Sequence, residues 1–131
     1  MFARIGRVRR DRLRFVRALY RIMMERNTPD ARAQRLLREW LTPEQLAQFD
    51  AYKSFEVTGS QTGRRYRIHH GLASNVFELD ERGFPSTGWC IVPSRPLPAG
   101  DVMLAQKIAL ETDEKAALSV ARKFPSSSPC T

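Results

Sequence analysis

Residues 101–123, DVMLAQKIALETDEKAALSVARK, decide the fold, because no other segment is long and apolar enough to floor a core. At about 100° per residue, Val102, Met103, Ala105, Ala109, Leu110, Ala116, Ala117, Val120 and Ala121 share one broad arc. Lys107, Glu111, Glu114, Lys115 and Arg122 fall opposite, with Glu111 and Lys115 spaced as a supporting i,i+4 pair. Asp101 after Gly100 is a suitable N-cap. The stretch therefore predicts one core helix whose alanines permit close approach to a sheet. Two polar residues, Gln106 and Asp113, fall within the apolar arc. Asp113 after Thr112 reads as a local break that reaches solvent. The alternative is a buried polar pair that fixes a neighbouring loop, since a buried polar group without a partner costs about 1–3 kcal/mol. A catalytic role for Asp113 ranks last.

Working back towards the N-terminus, the period changes to the alternation of strands. Phe55 and Val57 mark a first strand and GSQTG a turn, with Tyr66 and Ile68 on the return strand. Val76, Phe77 and Leu79 follow as a third strand, and Trp89 to Val92 as a fourth, ended by Pro93. A proline-stiffened loop, SRPLPAG, leads into the long helix. Further back, Thr28-Pro29-Asp30 and Thr42-Pro43-Glu44-Gln45 are helix starts. The second helix carries Ala33, Leu36, Leu37, Trp40 and Leu41 on one stripe, and the third has Leu46, Phe49 and Tyr52 inward. Trp40 reads as core. The expected class is α+β: N-terminal helices, an antiparallel meander of three or four strands, and a C-terminal helix packed on the sheet. The expected organisation is a basic amphipathic arm over 1–26, one domain over 27–123 and a disordered polar tail over 124–131.

At 131 residues the chain can bury a core without staples. Cys90 and Cys130 form no disulfide framework, which makes a reducing cytosol the default, with Cys90 a buried, inert thiol. No apolar run approaches the length of a membrane span, and the arginine-interrupted start is no secretory signal. His69, His70 and Cys90 lack metal-ligand spacing. No glycine-rich loop carries a P-loop lysine. No catalytic residue, metal or cofactor is expected.

The charge is one-sided. Residues 1–39 hold 12 Arg against four acids, which accounts for the whole net charge of +8. The opening segment, MFARIGRVRRDRLRFVRALYRIMMER, reads as one amphipathic helix, with Arg7, Arg10, Arg14, Arg17 and Arg21 in a line about 21 Å long. Phe2, Ile5, Val8, Phe15, Val16, Leu19, Tyr20, Ile22 and Met23 cover the other side, broken by Arg4, Arg9 and Arg12. The first reading of this row is a grip on nucleic-acid phosphates, DNA or RNA. The second is docking on an acidic or apolar protein surface, or pairing with a second copy, which makes the chain an adaptor or a subunit. An anionic membrane surface, an organelle presequence and a plainly solvated face are further alternatives. On the hairpin, Arg65, Arg67 and His69 face away from Tyr66 and Ile68. Arg65 and Arg67 extend the anionic footprint if the row is functional, and are otherwise an ordinary exposed sheet face.

The blocks FEVTGSQTGRRYRI, NVFELDERG, WCIVP and LPAGDVMLAQKIALE, spanning residues 55–121, resemble a module of small uncharacterised bacterial proteins. That module carries no assigned activity, so the resemblance implies no chemistry, and the arginine row lies outside it. The expectation is a small basic binding protein without enzymatic activity, cytoplasmic, whose oligomeric state the sequence leaves open.

Overall fold

The computed structural model describes residues 2–91 and 93–125, with side chains for residues 11–24, 27–91 and 93–125. The elements run α1 (Phe2–Arg26), α2 (Pro29–Trp40), α3 (Pro43–Tyr52), β1 (Ser54–Thr58), β2 (Arg65–His69), β3 (Val76–Leu79), β4 (Pro85–Cys90), α4 (Ala99–Thr112), α5 (Glu114–Ser119) and β5 (Arg122–Pro125). They divide into two units, Met1–Arg32 and Ala33–Thr131. The class is α+β, as the alternation and helical periods require.

The helix starts are built as their sequences specify. Thr28 Oγ1 accepts from the Ala31 amide at 3.2 Å. At α3, Thr42 Oγ1 accepts from the Gln45 amide at 3.2 Å while Gln45 Oε1 accepts from the Thr42 amide at 3.1 Å, a reciprocal capping box. Lys53, in the left-handed region at φ 56°, ends α3 and turns the chain into β1. Asp101, in contrast, is not the cap of α4: that helix starts at Ala99, and Asp101 sits in its first turn.

The sheet is an antiparallel meander in the order β1-β2-β3-β4-β5. Phe55, Val57, Tyr66, Ile68 and Val76 form its inner face and share one buried cluster with Leu37, Phe49, Met103 and Leu110. The five strands exceed the expected three or four, and the additional one comes from residues read as helix and tail. Arg122–Pro125 pairs with β4, with Gly88 opposite Phe124. Gly88 has no side chain, and a Cβ there would lie 2.2 Å from the Phe124 ring. The aromatic thus occupies the space over β4, and the strand covers an edge that would otherwise expose unpaired backbone groups. Phe124 is buried, which removes it from the expected tail; residues 126–131 lie outside the described residues. Val92, expected to end the fourth strand, also lies outside them.

The long C-terminal helix of the sequence reading is two helices. Asp113 takes an extended backbone conformation (φ −151°, ψ 79°), and its side chain accepts from the Ala116 amide at 3.3 Å, starting α5. The break rotates everything after it. Glu114, placed on the solvent side by a continuous helix, is fully buried, and Val120 is 80% exposed. The i,i+4 pair that forms is Lys107–Glu111 at 2.6 Å, not Glu111–Lys115. Gln106 is buried in a reciprocal bond with Asn75 (2.8 and 3.0 Å) and donates to the Ile91 carbonyl at 3.0 Å. It therefore fixes the β2–β3 loop through Asn75 rather than through Asp113. Two expected core aromatics are outside the core: Trp40 is 57% exposed and Tyr52 77% exposed. The core side of α2 is narrower, Ala33 and Leu37, with Leu41 buried just after the helix.

Candidate nucleic-acid interface

The arginine row lies on α1, a 25-residue helix. Arg14, Arg17 and Arg21 are exposed and make no ion pair among the described residues. The side chains of Arg7 and Arg10 lie outside the described residues, although the α1 backbone runs through both positions. The apolar side of the helix is open as well: Phe15, Val16, Leu19, Ile22 and Met23 are all exposed. Burying such side chains is worth roughly 1.5–3 kcal/mol each relative to leaving them in water.

Arg65 and Arg67 lie on the sheet face turned away from the core and meet a different environment. Both pair with Glu56 of β1, at 3.4 and 3.1 Å. Arg64 pairs with Glu78 at 3.0 Å and Arg38 with Asp50. The register explains the shared carboxylate, since Glu56 stands opposite Arg67 and two residues from the Thr58–Arg65 pair, on the same face. Two guanidinium groups on one carboxylate leave a single net charge there. The cationic surface of the sheet is thus largely answered internally, whereas the described arginines of the α1 row are not.

Beside this cluster a cleft of about 380 Å³ opens between α3 and β1–β2, walled by Tyr52, Glu56, Arg67 and His69. Burial, and then the Arg67 charge, hold the His69 imidazole below its ordinary value, so it is neutral at pH 7. Its ring meets Phe77 edge-on at 5.4 Å, and Phe77 meets Phe124 at 5.7 Å.

The residue that the sequence reading missed altogether is Glu114. Its carboxylate accepts from the Gln61 amide (3.2 Å), the Thr62 amide (2.8 Å), the Thr62 hydroxyl (2.6 Å) and the Tyr66 hydroxyl (2.5 Å). Burial, the largest single influence, pushes the carboxyl up, but these four bonds together outweigh it and hold the group below its ordinary 4.5. Burial, followed by the bond to Glu114, pushes the Tyr66 phenol strongly up, so it stays protonated and donates. The site is a clamp on the β1–β2 turn, and every oxygen contact is satisfied from within the chain. A Cβ at Gly59 would lie 2.3 Å from the carboxylate, which is why the turn begins with glycine. Only the position of the break at Asp113 could have signalled this role.

Cys90 is buried and disulfide-bonded, which corrects the expectation of an inert thiol; Cys130, the second cysteine, lies outside the described residues. Among the described residues no group of three or more His, Cys, Asp or Glu is placed to hold a metal ion, and no helix is long and apolar enough to cross a membrane. Set against known protein families, curated proteins and solved structures, the chain matches none.

Proposed function

We propose that the protein is a non-enzymatic nucleic-acid-binding factor that grips phosphates through the arginine row of α1, Arg7, Arg10, Arg14, Arg17 and Arg21. The observation that carries this reading is the contrast in charge pairing. Arg14, Arg17 and Arg21 are exposed without carboxylate partners among the described residues, while Arg38, Arg64, Arg65 and Arg67 are answered by the protein's own acids. Arg65 and Arg67 accordingly play a minor, supporting part. Guanidinium rows recognise the phosphate backbone rather than base edges, so affinity is largely independent of sequence. Binding measured by fluorescence anisotropy tests it: five phosphate contacts give a slope of about −4.5 in log affinity against log salt, a loss of about 500-fold between roughly 50 and 200 mM. Affinity unchanged over that range removes the proposal.

The exposed apolar side of α1 favours a second reading, an adaptor or subunit that docks on protein through the same helix. Purification with and without nuclease separates the two. A nucleic-acid absorbance signature that nuclease removes supports the first; a stoichiometric protein partner that survives nuclease supports the second. The cytosolic setting expected from unpaired cysteines loses its ground with Cys90 disulfide-bonded, because such bonds persist chiefly in oxidising compartments.

A further inference from the structure

We propose that the apolar side of α1 is covered by α1 of a second copy of the same chain, in an antiparallel coiled-coil pair. The inference goes beyond the nucleic-acid reading and does not depend on it. Ile5, Val8, Arg12, Phe15, Leu19 and Ile22 follow one another at spacings of three, four, three, four and three residues, the seam of a two-stranded coiled coil. The seam runs about 26 Å along a helix that is unbroken from Phe2 to Arg26. Its described apolar members stand in solvent: Phe15 is 65% exposed, Leu19 44% and Ile22 46%. Arg14, Arg17 and Arg21 occupy positions opposite the seam, so pairing leaves the arginine row outward and accessible.

The charges choose the occupant and its direction. A parallel pair stacks Arg12 on the partner's Arg12 inside the seam, two like charges in a desolvated layer, which is strongly unfavourable. An antiparallel pair matches the seam positions 5 with 22, 8 with 19, and 12 with 15. Arg12 then lies level with the partner's Phe15, a cation over an aromatic ring. In the flanking positions, Arg4 comes level with Met23, two residues from Glu25, and Asp11 comes level with Val16, two residues from Ala18, so no like charges meet there. The helix dipoles of the two copies also oppose. An acidic partner protein would be drawn to the arginine row, on the other side of the helix, and would leave the seam bare.

The test is the mass of the nuclease-treated full chain by analytical ultracentrifugation at tens of micromolar and moderate salt. The expected result is twice the 15.0 kDa of one chain. Leu19→Glu places a charge in the seam without touching the buried core, so it should return the chain to monomer mass with an unchanged circular dichroism spectrum. Direction is read by disulfide trapping. Val8→Cys mixed with Leu19→Cys should give the mixed covalent dimer, whereas Leu19→Cys alone should give none. A wild-type monomer at these concentrations, a Leu19→Glu dimer, or a covalent homodimer of Leu19→Cys each overturns the proposal. Nucleic-acid affinity is measured separately on Leu19→Glu, so loss of pairing and loss of phosphate binding are distinguished.

Discussion

Glu114 shows how a single residue holds two distant parts of the chain together. Its carboxylate is the common acceptor for four donors of the β1–β2 turn and β2, so Glu114→Ala removes the partner of all four and strands the buried Tyr66 hydroxyl. The expected loss is on the order of 3 kcal/mol, measured by urea denaturation. Gly59→Ala attacks the same clamp from the other side and should cost about 1–3 kcal/mol through overpacking. The pH dependence follows from the two shifts. The folded carboxyl lies below its unfolded value, so its contribution is complete above about 4.5 and is lost as pH falls through the lowered folded value. Tyr66 behaves in the opposite sense: the unfolded phenol ionises near 10 while the folded one stays protonated, so stability also declines above pH 10. Glu114→Gln should flatten the acid limb of a stability–pH profile. An acid limb identical to wild type would show that the clamp carries none of it. Nothing in the composition marks Glu114, because its burial depends on where α4 ends.

At the scale of elements, legibility followed periodicity. Helix starts with a capping residue and proline, and strands with alternating apolar residues, were readable because each is encoded within a few positions: Thr42 with Gln45, or Phe55 with Val57. The break at Asp113 was readable from Thr112-Asp113, but not its consequence for the residues after it, since the apolar arc continues in register through Asp113 and the break is stabilised from elsewhere. Gln61 Nε2 donates to Asp113 at 2.9 Å, and the Gln61 side-chain oxygen accepts from the Lys115 amide at 2.7 Å. Asp113→Ala is therefore expected to lower the thermal midpoint and weaken protection of the Ala116 amide from hydrogen exchange; unchanged protection would show that α5 needs no cap. Likewise β5 exists because Gly88 leaves room for Phe124, a pairing of residues 36 apart. The helix that carries the arginine row was legible because the 3.6-residue period is local, and the row's described members, Arg14, Arg17 and Arg21, are exposed on it. Replacing Arg14, Arg17 and Arg21 with glutamine should reduce the salt slope of nucleic-acid binding by about 2.7, leaving α1 helical. A slope that does not move would assign the phosphate contacts elsewhere.

For the whole molecule, fold and proposed function occupy different parts of the chain. Among the described residues, the buried cluster begins at Leu37 and lies within Ala33–Thr131. Residues 1–26 carry nine arginines against two acids, seven of the eight excess positive charges. Deleting them should leave the thermal midpoint within a few degrees of the full chain, because every described member of the cluster is retained. The same deletion should abolish salt-dependent binding, since the remainder is left with one net charge and its sheet arginines already share Glu56. Scanning calorimetry and anisotropy on the one truncated chain measure both quantities together. A collapse of the midpoint would make α1 part of the fold rather than its instrument. Full affinity in the truncated chain would move the interface to the sheet, where Arg65 and Arg67 would have to exchange Glu56 for phosphate. The two results are independent because core burial and cationic surplus were placed in different segments of the same sequence.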